Sequence, residues 1–188
     1  MRKVSVSLAV LAFLLLVTVS LCAQQPPQDK SKRASPPGTA SVTFKDGKKI
    51  TVDYSRPKIR DPKTGQPRKI MGGLVPYGQE WRTGANEATT FVTDTNVKVG
   101  DLSVPAGNYT LYTIPGENEW TIIINKQTGQ WGTVYQEAQD LGRTKVKSGK
   151  TGQTVQEFTI SFTPAKDKKT TMNLKWENTK VSVPITEE

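Results

Sequence analysis

The side chains best suited to chemistry lie between Gly72 and Glu87, a stretch with neither the period of a strand nor that of a helix. Trp81 offers a flat aromatic face, and Arg82 offers a planar guanidinium that can bind a carboxylate or phosphate through two hydrogen bonds. Asn86 adds amide donors and an acceptor, and Glu87 adds a carboxylate. Because binding residues often lie in irregular loops on a rigid scaffold, these four residues predict a ligand site. In the structural alternative, Trp81 closes the edge of the core and its polar neighbours satisfy loop backbone groups.

Five arginines fall in segments predicted to be loops, and their convergence would form an anion-binding rim. They are Arg56, Arg60, Arg68, Arg82 and Arg143. Arg56 and Arg82 each lie beside a proline or an aromatic residue, which favours a shared site for these two. Arg60 and Arg68 are interpreted as solvated surface residues.

Three further tryptophans could form a platform for a sugar ring. Trp120 and Trp176 alternate with apolar neighbours in predicted strands, which indicates that they belong to the core. Trp131 lies in an irregular segment and is therefore the better candidate for ligand contact. Tyr135, four residues further on, is included with it as a candidate.

The composition excludes several catalytic chemistries. The chain has no histidine, and its single cysteine is Cys22. A Ser-His-Asp or Cys-His group and a zinc site of the usual Cys/His type are therefore excluded downstream of that position. We predict no cofactor and no metal site. Catalysis would need carboxylates about 5–9 Å apart, for which Glu80, Glu87 and Asp140 are the candidates.

The first 23 residues have the order of regions that is typical of a secretory signal peptide. Arg2 and Lys3 precede an almost wholly apolar run, which is followed by small residues around Cys22. We therefore predict an exported protein located in the periplasm, at the cell surface or outside the cell, with no membrane span after cleavage. An uncleaved anchor is one alternative, and a lipid anchor at Cys22 is another. Leu21 disfavours the lipid anchor, because cleavage by a lipoprotein signal peptidase requires a small residue before the cysteine.

The charge of the chain favours anionic partners. The net charge is +9 at pH 7, and removal of residues 1–23 with their two positive charges leaves +7. Anionic glycans, lipid headgroups, phosphates and carboxylates are the candidate partners. Nucleic acid is not predicted, because the positive charges are scattered and no recognition motif is present.

Residues 24–38 are rich in Gln, Pro, Ser and Lys, which predicts a disordered linker. Residues 39–188 then form a single mostly β domain, because short alternating segments are separated by turn signals such as Asp46-Gly47. This pattern predicts an antiparallel β-sandwich or a barrel-like fold, with one long irregular loop and little helix. A short helix over 134–141 and a turn at Asn178 before the last strand are also predicted.

Several blocks of the sequence resemble the bacterial family known as domain of unknown function 2911. The most specific is Trp-Arg-Thr-Gly-Ala-Asn-Glu at 81–87, and further matching blocks extend the resemblance over most of residues 41–186. These are Tyr-Ser-Arg-Pro at 54–57, Lys-Ile-Met-Gly-Gly-Leu-Val-Pro-Tyr-Gly at 69–78, Pro-Ala-Gly-Asn-Tyr at 105–109 and Trp-Glu-Asn-Thr-Lys-Val at 176–181. The resemblance implies an exported, mostly β protein and implies no activity.

Three hypotheses on function follow from these observations. The first is a non-catalytic binding module for a small anionic or carbohydrate-like ligand or an envelope partner. The second is a structural envelope component without a ligand. The third is a hydrolase that uses carboxylates. Convergence of Arg56, Arg82, Asn86 and Glu87 on one cleft, with Trp131 or Tyr135, would favour the first.

Overall fold

Alternating apolar residues form strands whose buried faces meet in one core. In the computed structural model, which describes residues 29–188, nine antiparallel strands and two single-turn 3-10 helices are present. The strands are β1 (Pro37–Thr43), β2 (Lys49–Ser55), β3 (Thr89–Thr93), β4 (Val97–Val99), β5 (Leu102–Val104), β6 (Gly107–Ile114), β7 (Glu119–Asn125), β8 (Asp140–Phe162) and β9 (Lys169–Glu187). The 3-10 turns are Lys30–Lys32 and Glu137–Gln139.

The hairpin of β1 and β2 shows how local sequence sets the register. Ile50, Val52 and Tyr54 alternate with polar residues, and all three are buried on one face. Gly47 takes a positive φ of 89° in the turn, which glycine adopts without steric cost. The turn predicted at Asp46-Gly47 is confirmed, and it joins β1 and β2 into a hairpin.

The strands follow the order β1-β2-β3-β6-β7-β8-β9-β4-β5, and the sheet does not close into a barrel. The long strand β8 joins two halves of this sheet: a first half of β1, β2, β3, β6 and β7, and a second half of β9, β4 and β5. Residues 140–147 pair with β7, whereas residues 148–162 pair with β9, with register shifts between 150 and 159. Residues of both halves belong to one buried cluster, so the sheet folds over and the buried faces of its two halves pack against each other, as in a sandwich.

The core contains residues from both halves of the folded sheet. Val52 and Phe91 of the first half belong to the same buried cluster as Phe158 and Trp176 of the second. The ring of Tyr54 meets that of Phe158 edge-on, with centroids 5.7 Å apart. The predicted core positions of Trp120 and Trp176 are confirmed, since they are 2% and 1% exposed.

The prediction of a mostly β antiparallel fold with little helix is confirmed, but two local predictions are wrong. The predicted helix over 134–141 is a single 3-10 turn followed by the start of β8. The predicted turn at Asn178 lies inside β9, where Glu177 takes a positive φ of 52° without ending the strand.

At the N-terminal side, the described part begins inside the predicted linker. β1 starts at Pro37, and residues 29–36 pack against the loop that precedes β3. The predicted signal peptide of residues 1–23 lies outside the described residues. In the part of the chain from 29 to 188, no helix is long and apolar enough to cross a membrane.

Candidate functional site

A cleft of about 330 Å³ is lined mainly by two parts of the long connection between β2 and β3, residues 57–68 and 74–86. We call this cavity the basic cleft. Its lining includes four cationic side chains, which are Lys58, Arg60, Arg68 and Arg82, and the two tryptophans Trp81 and Trp131. Leu74, Val75 and Trp176 add apolar surface, and Ala34, Ser35 and Asn86 add backbone and amide groups. Among residues 29–188, no carboxylate lines the cleft.

Trp81 is fixed at the inner wall of the basic cleft. Its backbone pairs with Thr113 of β6 through two hydrogen bonds, of 2.7 and 3.0 Å. Its indole Nε1 donates to the Gly84 carbonyl at 3.0 Å, and its ring stacks on Trp176 with centroids 5.9 Å apart and planes 18° apart. Trp81 therefore closes the edge of the core, as the structural alternative expected, and also presents surface to the cleft.

Arg82 is half-buried and lacks a carboxylate partner. Its Nη1 donates to the Asn86 carbonyl at 3.0 Å, and within residues 29–188 it forms no ion pair. Burial lowers the pKa of the Arg82 guanidinium, because the charged form loses hydration without an opposite charge beside it. A side chain at Gly132 would overlap the Arg82 Cδ, so the glycine allows Arg82 to lie against this backbone.

Asn86 organises the loop around Arg82. It takes a left-handed conformation with φ of 60°, which Asn tolerates better than most residues. Its carbonyl accepts hydrogen bonds from the Arg82 guanidinium and from the Gly132 N–H, both at 3.0 Å. Its side-chain amide donates to the Ser35 carbonyl at 3.1 Å and to the Ser55 hydroxyl at 3.2 Å. Asn86 thus acts by positioning its neighbours.

The opposite wall comes from the loop of residues 57–68, which pairs with the second half of the sheet. Ile59 N–H donates to the Gln156 carbonyl, and Phe158 N–H donates to the Pro57 carbonyl, both at 2.9 Å. Arg68 donates to the Lys58 carbonyl at 2.8 Å and lies 3.6 Å from the Asp61 carboxylate. Arg60 is exposed, as expected of a solvated surface residue, and Arg68 has a single ion pair, but the pairing of this loop also brings both side chains to the lining of the cleft.

Trp131 lies at the mouth of the basic cleft. It is 48% exposed, and Leu74, which is exposed to the same extent, also lines the cleft. The backbone of Trp131 bridges to that of Glu87, so its segment is attached to the loop that holds Arg82. Its indole is therefore available to a ligand.

Glu87 faces away from the basic cleft into a neighbouring cavity of about 310 Å³. Arg33 Nη1 donates to both of its carboxylate oxygens at 2.9 Å, and Lys30 Nζ lies 3.1 Å away. Partial burial raises the pKa of the Glu87 carboxyl, but hydrogen bonds from Arg33, its own backbone and Lys30 outweigh this and lower the pKa to about 2.

Arg56 is outside the basic cleft, although its neighbour Pro57 lines it. Its Nη1 lies 3.7 Å from the Glu157 carboxylate, and its buried Nε has no hydrogen-bond partner within residues 29–188. Its stem packs against Gly38 of β1. The structure therefore does not bring Arg56 together with Arg82.

Tyr135 and Arg143 form a separate cluster around Asp140. The Tyr135 hydroxyl and the Arg143 Nε donate to the same Asp140 oxygen at 2.8 Å, and Asn125 donates to the other at 2.8 Å. Arg143 also reaches the Glu137 carboxylate at 2.8 Å. Burial and the hydrogen bond to Asp140 raise the pKa of Tyr135, and the hydrogen bond to Asp140 raises that of Arg143.

The three candidate acid/base carboxylates occupy separate places. Glu87 is paired with Arg33, Asp140 is paired with Arg143, and Glu80 is exposed on the turn before Trp81. None of the cavities described here is lined by two of them. Within residues 29–188, no three acidic side chains are grouped so as to hold a metal ion. Nothing in this arrangement supplies the carboxylate pair that the hydrolase hypothesis requires.

The fold and the cleft together define a mostly β, sandwich-like protein with a basic, aromatic-lined cleft at one edge of its core. The chain belongs to the family DUF2911, which is described as "Protein of unknown function" and matches residues 35–185. The family assignment predicted from the sequence is thus confirmed. No curated protein and no solved structure matches the chain.

Proposed function

We propose that this protein is a non-catalytic binding protein, acting outside the cytoplasm, that holds a small organic anion in the basic cleft. The observation that carries the proposal is the half-buried Arg82, which has one hydrogen bond to a carbonyl and no carboxylate partner within residues 29–188. Burying an unpaired charge is costly, so such groups are normally paired in the protein itself. A bound anion would supply the missing partner.

The remaining cations of the cleft support the same ligand class. Lys58 and Arg60 form no ion pair among residues 29–188, and Arg60 makes one hydrogen bond, to the Gly65 carbonyl at 2.9 Å. Cations that share a low-dielectric cleft raise the local concentration of anions. Because Arg68 is already close to Asp61, we assign direct contact to Lys58, Arg60 and Arg82.

The size and walls of the cleft restrict the ligand further. A volume of about 330 Å³ is at the lower end of the range for small-molecule sites. The exposed ring of Trp131 offers a flat surface for the apolar face of a sugar or a similar ring. A sugar acid or a sugar phosphate would use both features. The proposed location outside the cytoplasm is supported by the signal-peptide pattern of residues 1–23.

Calorimetric titration of the wild type tests the proposal with D-glucuronate, D-glucose 6-phosphate, inorganic phosphate and neutral D-glucose. We expect the anions to bind and glucose to bind at least tenfold more weakly, because glucose leaves the guanidinium unpaired. Binding of glucose with equal affinity, or no binding by any anion, would contradict the proposal. The latter result would favour a structural envelope component.

Variants then locate the site on the protein. Arg82→Lys keeps the charge but removes the planar pair of donors, and Arg60→Gln removes a charge from the exposed wall. Both should weaken anion binding by about tenfold, since a charge-assisted hydrogen bond contributes about 1.5–3 kcal/mol. Lys145→Gln is the matched control, because this exposed lysine is paired with Glu119 on β7. An equal loss in the control would place binding elsewhere.

A further inference from the structure

Residues 29–36 form an ordered segment that we call the N-terminal strap. The Asp29 carboxylate accepts hydrogen bonds from the backbone and hydroxyl of Ser31, which starts the 3-10 turn Lys30–Lys32. At the other end, the Arg56 N–H donates to the Pro36 carbonyl at 2.8 Å, just before β1 begins. The strap therefore has a fixed path along the loop that contains Arg82.

Two cations of the strap are paired with one carboxylate of that loop. Glu87 receives the Arg33 guanidinium and the Lys30 ammonium, and the Arg33 side chain is only 20% exposed. Because the Arg33 side chain is mostly buried and its Nη1 contacts both carboxylate oxygens, solvent screens this charge-assisted contact less than an ordinary surface ion pair. We refer to this contact between Arg33 and Glu87 as the latch.

The strap also supplies part of the basic cleft. Ala34 and Ser35 line the cleft directly. The Ser35 carbonyl accepts from the Asn86 side chain at 3.1 Å, and the Asn86 backbone carbonyl accepts from Arg82 at 3.0 Å. The latch, the strap and the guanidinium are thus connected through two adjacent residues, Asn86 and Glu87.

We propose that the strap is a releasable wall of the basic cleft, held by the latch, and that anion binding in the cleft and docking of the strap stabilise each other. The proposal rests on the proposed anion-binding function. A ligand in the cleft contacts Ala34 and Ser35 only when the strap is docked, so it binds the docked state more tightly. By reciprocity, the docked strap raises the affinity for the anion by the same factor that the anion raises the stability of docking.

The strap carries a built-in reporter of its own release. Lys30, Lys32 and Arg33 are trypsin cleavage sites within four residues of chain. A protease needs a locally unfolded segment, so cleavage here proceeds through the undocked strap. Trypsin digestion of the folded protein, with products identified by mass spectrometry, therefore measures docking at these positions separately from cleavage in the 57–68 loop.

The experiment compares wild type, Glu87→Gln and the control Glu119→Gln, each with and without inorganic phosphate. Glu119 is also paired with a lysine, at 3.1 Å, but lies on β7 away from the strap. We expect Glu87→Gln to be cleaved in the strap about fivefold faster than wild type, at the lower end of typical coupling factors. Phosphate should slow cleavage of the wild type. Arg33→Lys retains the cleavage site but lacks the guanidinium that contacts both Glu87 oxygens, so its rate of strap cleavage should lie between those of wild type and Glu87→Gln.

The outcomes separate this proposal from the proposed function. Phosphate binding is measured by calorimetry on the same wild-type sample, and folding of each variant is checked by circular dichroism. Equal strap cleavage in Glu87→Gln and Glu119→Gln would overturn the latch. Phosphate that binds without slowing cleavage would overturn the coupling while leaving the proposed function intact. Absence of phosphate binding would overturn the coupling and would count against the proposed function, whereas the latch would still be judged by the two Gln variants.

Discussion

Two groups in this molecule combine an arginine with aromatic side chains, and they differ in their carboxylates. Around Arg143, two carboxylates and the Tyr135 hydroxyl occupy the guanidinium. Around Arg82, the nearest fixed acceptor is the Asn86 carbonyl, and the other charged groups that line the cleft are cations. In the first arrangement the guanidinium is paired within the protein, and its bonds connect β8 to the segment before it. The second leaves an arginine without a carboxylate partner among residues 29–188.

The comparison shows why residue type alone does not identify a binding residue. Arg143 and Arg82 have the same donors, and each lies near a tyrosine or tryptophan. What distinguishes them is the neighbouring charge: Arg143 has two carboxylates within six residues of chain, whereas Arg82 has no carboxylate partner within residues 29–188. An arginine with local acids has a structural role, whereas one that is buried without them is a candidate for ligand contact.

The largest expected effect on stability is at Asp140, the shared acceptor at the centre of the Arg143 cluster. Asp140→Ala should lower the free energy of unfolding by about 2–3 kcal/mol, because it leaves Arg143, Tyr135 and Asn125 without a shared acceptor. Urea unfolding followed by circular dichroism measures this. Asp101→Ala, at an exposed turn residue, is the control and should change stability by less than about 0.5 kcal/mol. Equal effects of the two substitutions would show that the cluster around Asp140 does not stabilise the fold.

A smaller effect should separate the two arginines directly. Arg143→Gln should cost about 1 kcal/mol through the loss of charge-assisted hydrogen bonds, tempered by solvent because the side chain is 35% exposed. Arg82→Gln should change the free energy of unfolding by less than about 0.5 kcal/mol. The loss of one hydrogen bond is offset because the substitution removes a partly buried charge that has no opposite charge beside it. The same urea titrations measure both variants. If Arg82→Gln is the more costly of the two, its role is structural.

The smallest effect concerns the pH dependence of the latch. The pKa of Glu87 is lowered from 4.5 to about 2, so its contribution to stability is complete above about pH 4.5 and is lost as the pH falls toward 2. Because its side chain is 38% exposed, the difference between wild type and Glu87→Gln should be below about 1 kcal/mol. Unfolding measured at pH 6, 4 and 2.5 should show this difference shrinking with acidity. A difference that grows with acidity would contradict the assignment.

Much of the fold could be predicted because its strands follow local rules. The alternation in β1 and β2 and the apolar runs of β6 and β7 are visible in the sequence, and a turn with a glycine lies between the two strands of each pair. The start of β8 was missed because Gly142 weakens a strand pattern. The structure explains that glycine, since a side chain there would overlap Leu102 of β5. Its role depends on a contact between distant parts of the chain.

The candidate site was only partly predictable for a similar reason. The block from Trp81 to Asn86 stands out by residue type, and the structure brings it together with Trp131. Arg60 and Arg68 join them only because the 57–68 loop pairs with β8, about 100 residues further along the chain. The separation of Glu87 from the cleft likewise depends on Arg33 in a segment predicted to be disordered.

The shared strand β8 also has a consequence for how the chain reaches its native state. Tyr54 bonds to Ile160 and Trp81 stacks on Trp176, so the core is built from contacts between residues about 100 positions apart. Folds dominated by such distant pairings form slowly, on a scale of about milliseconds to seconds. Neither half of the sheet can complete its pairing before β8 has emerged. A chain that is synthesised from its N-terminus would therefore lack a complete core until β8 and β9 are available.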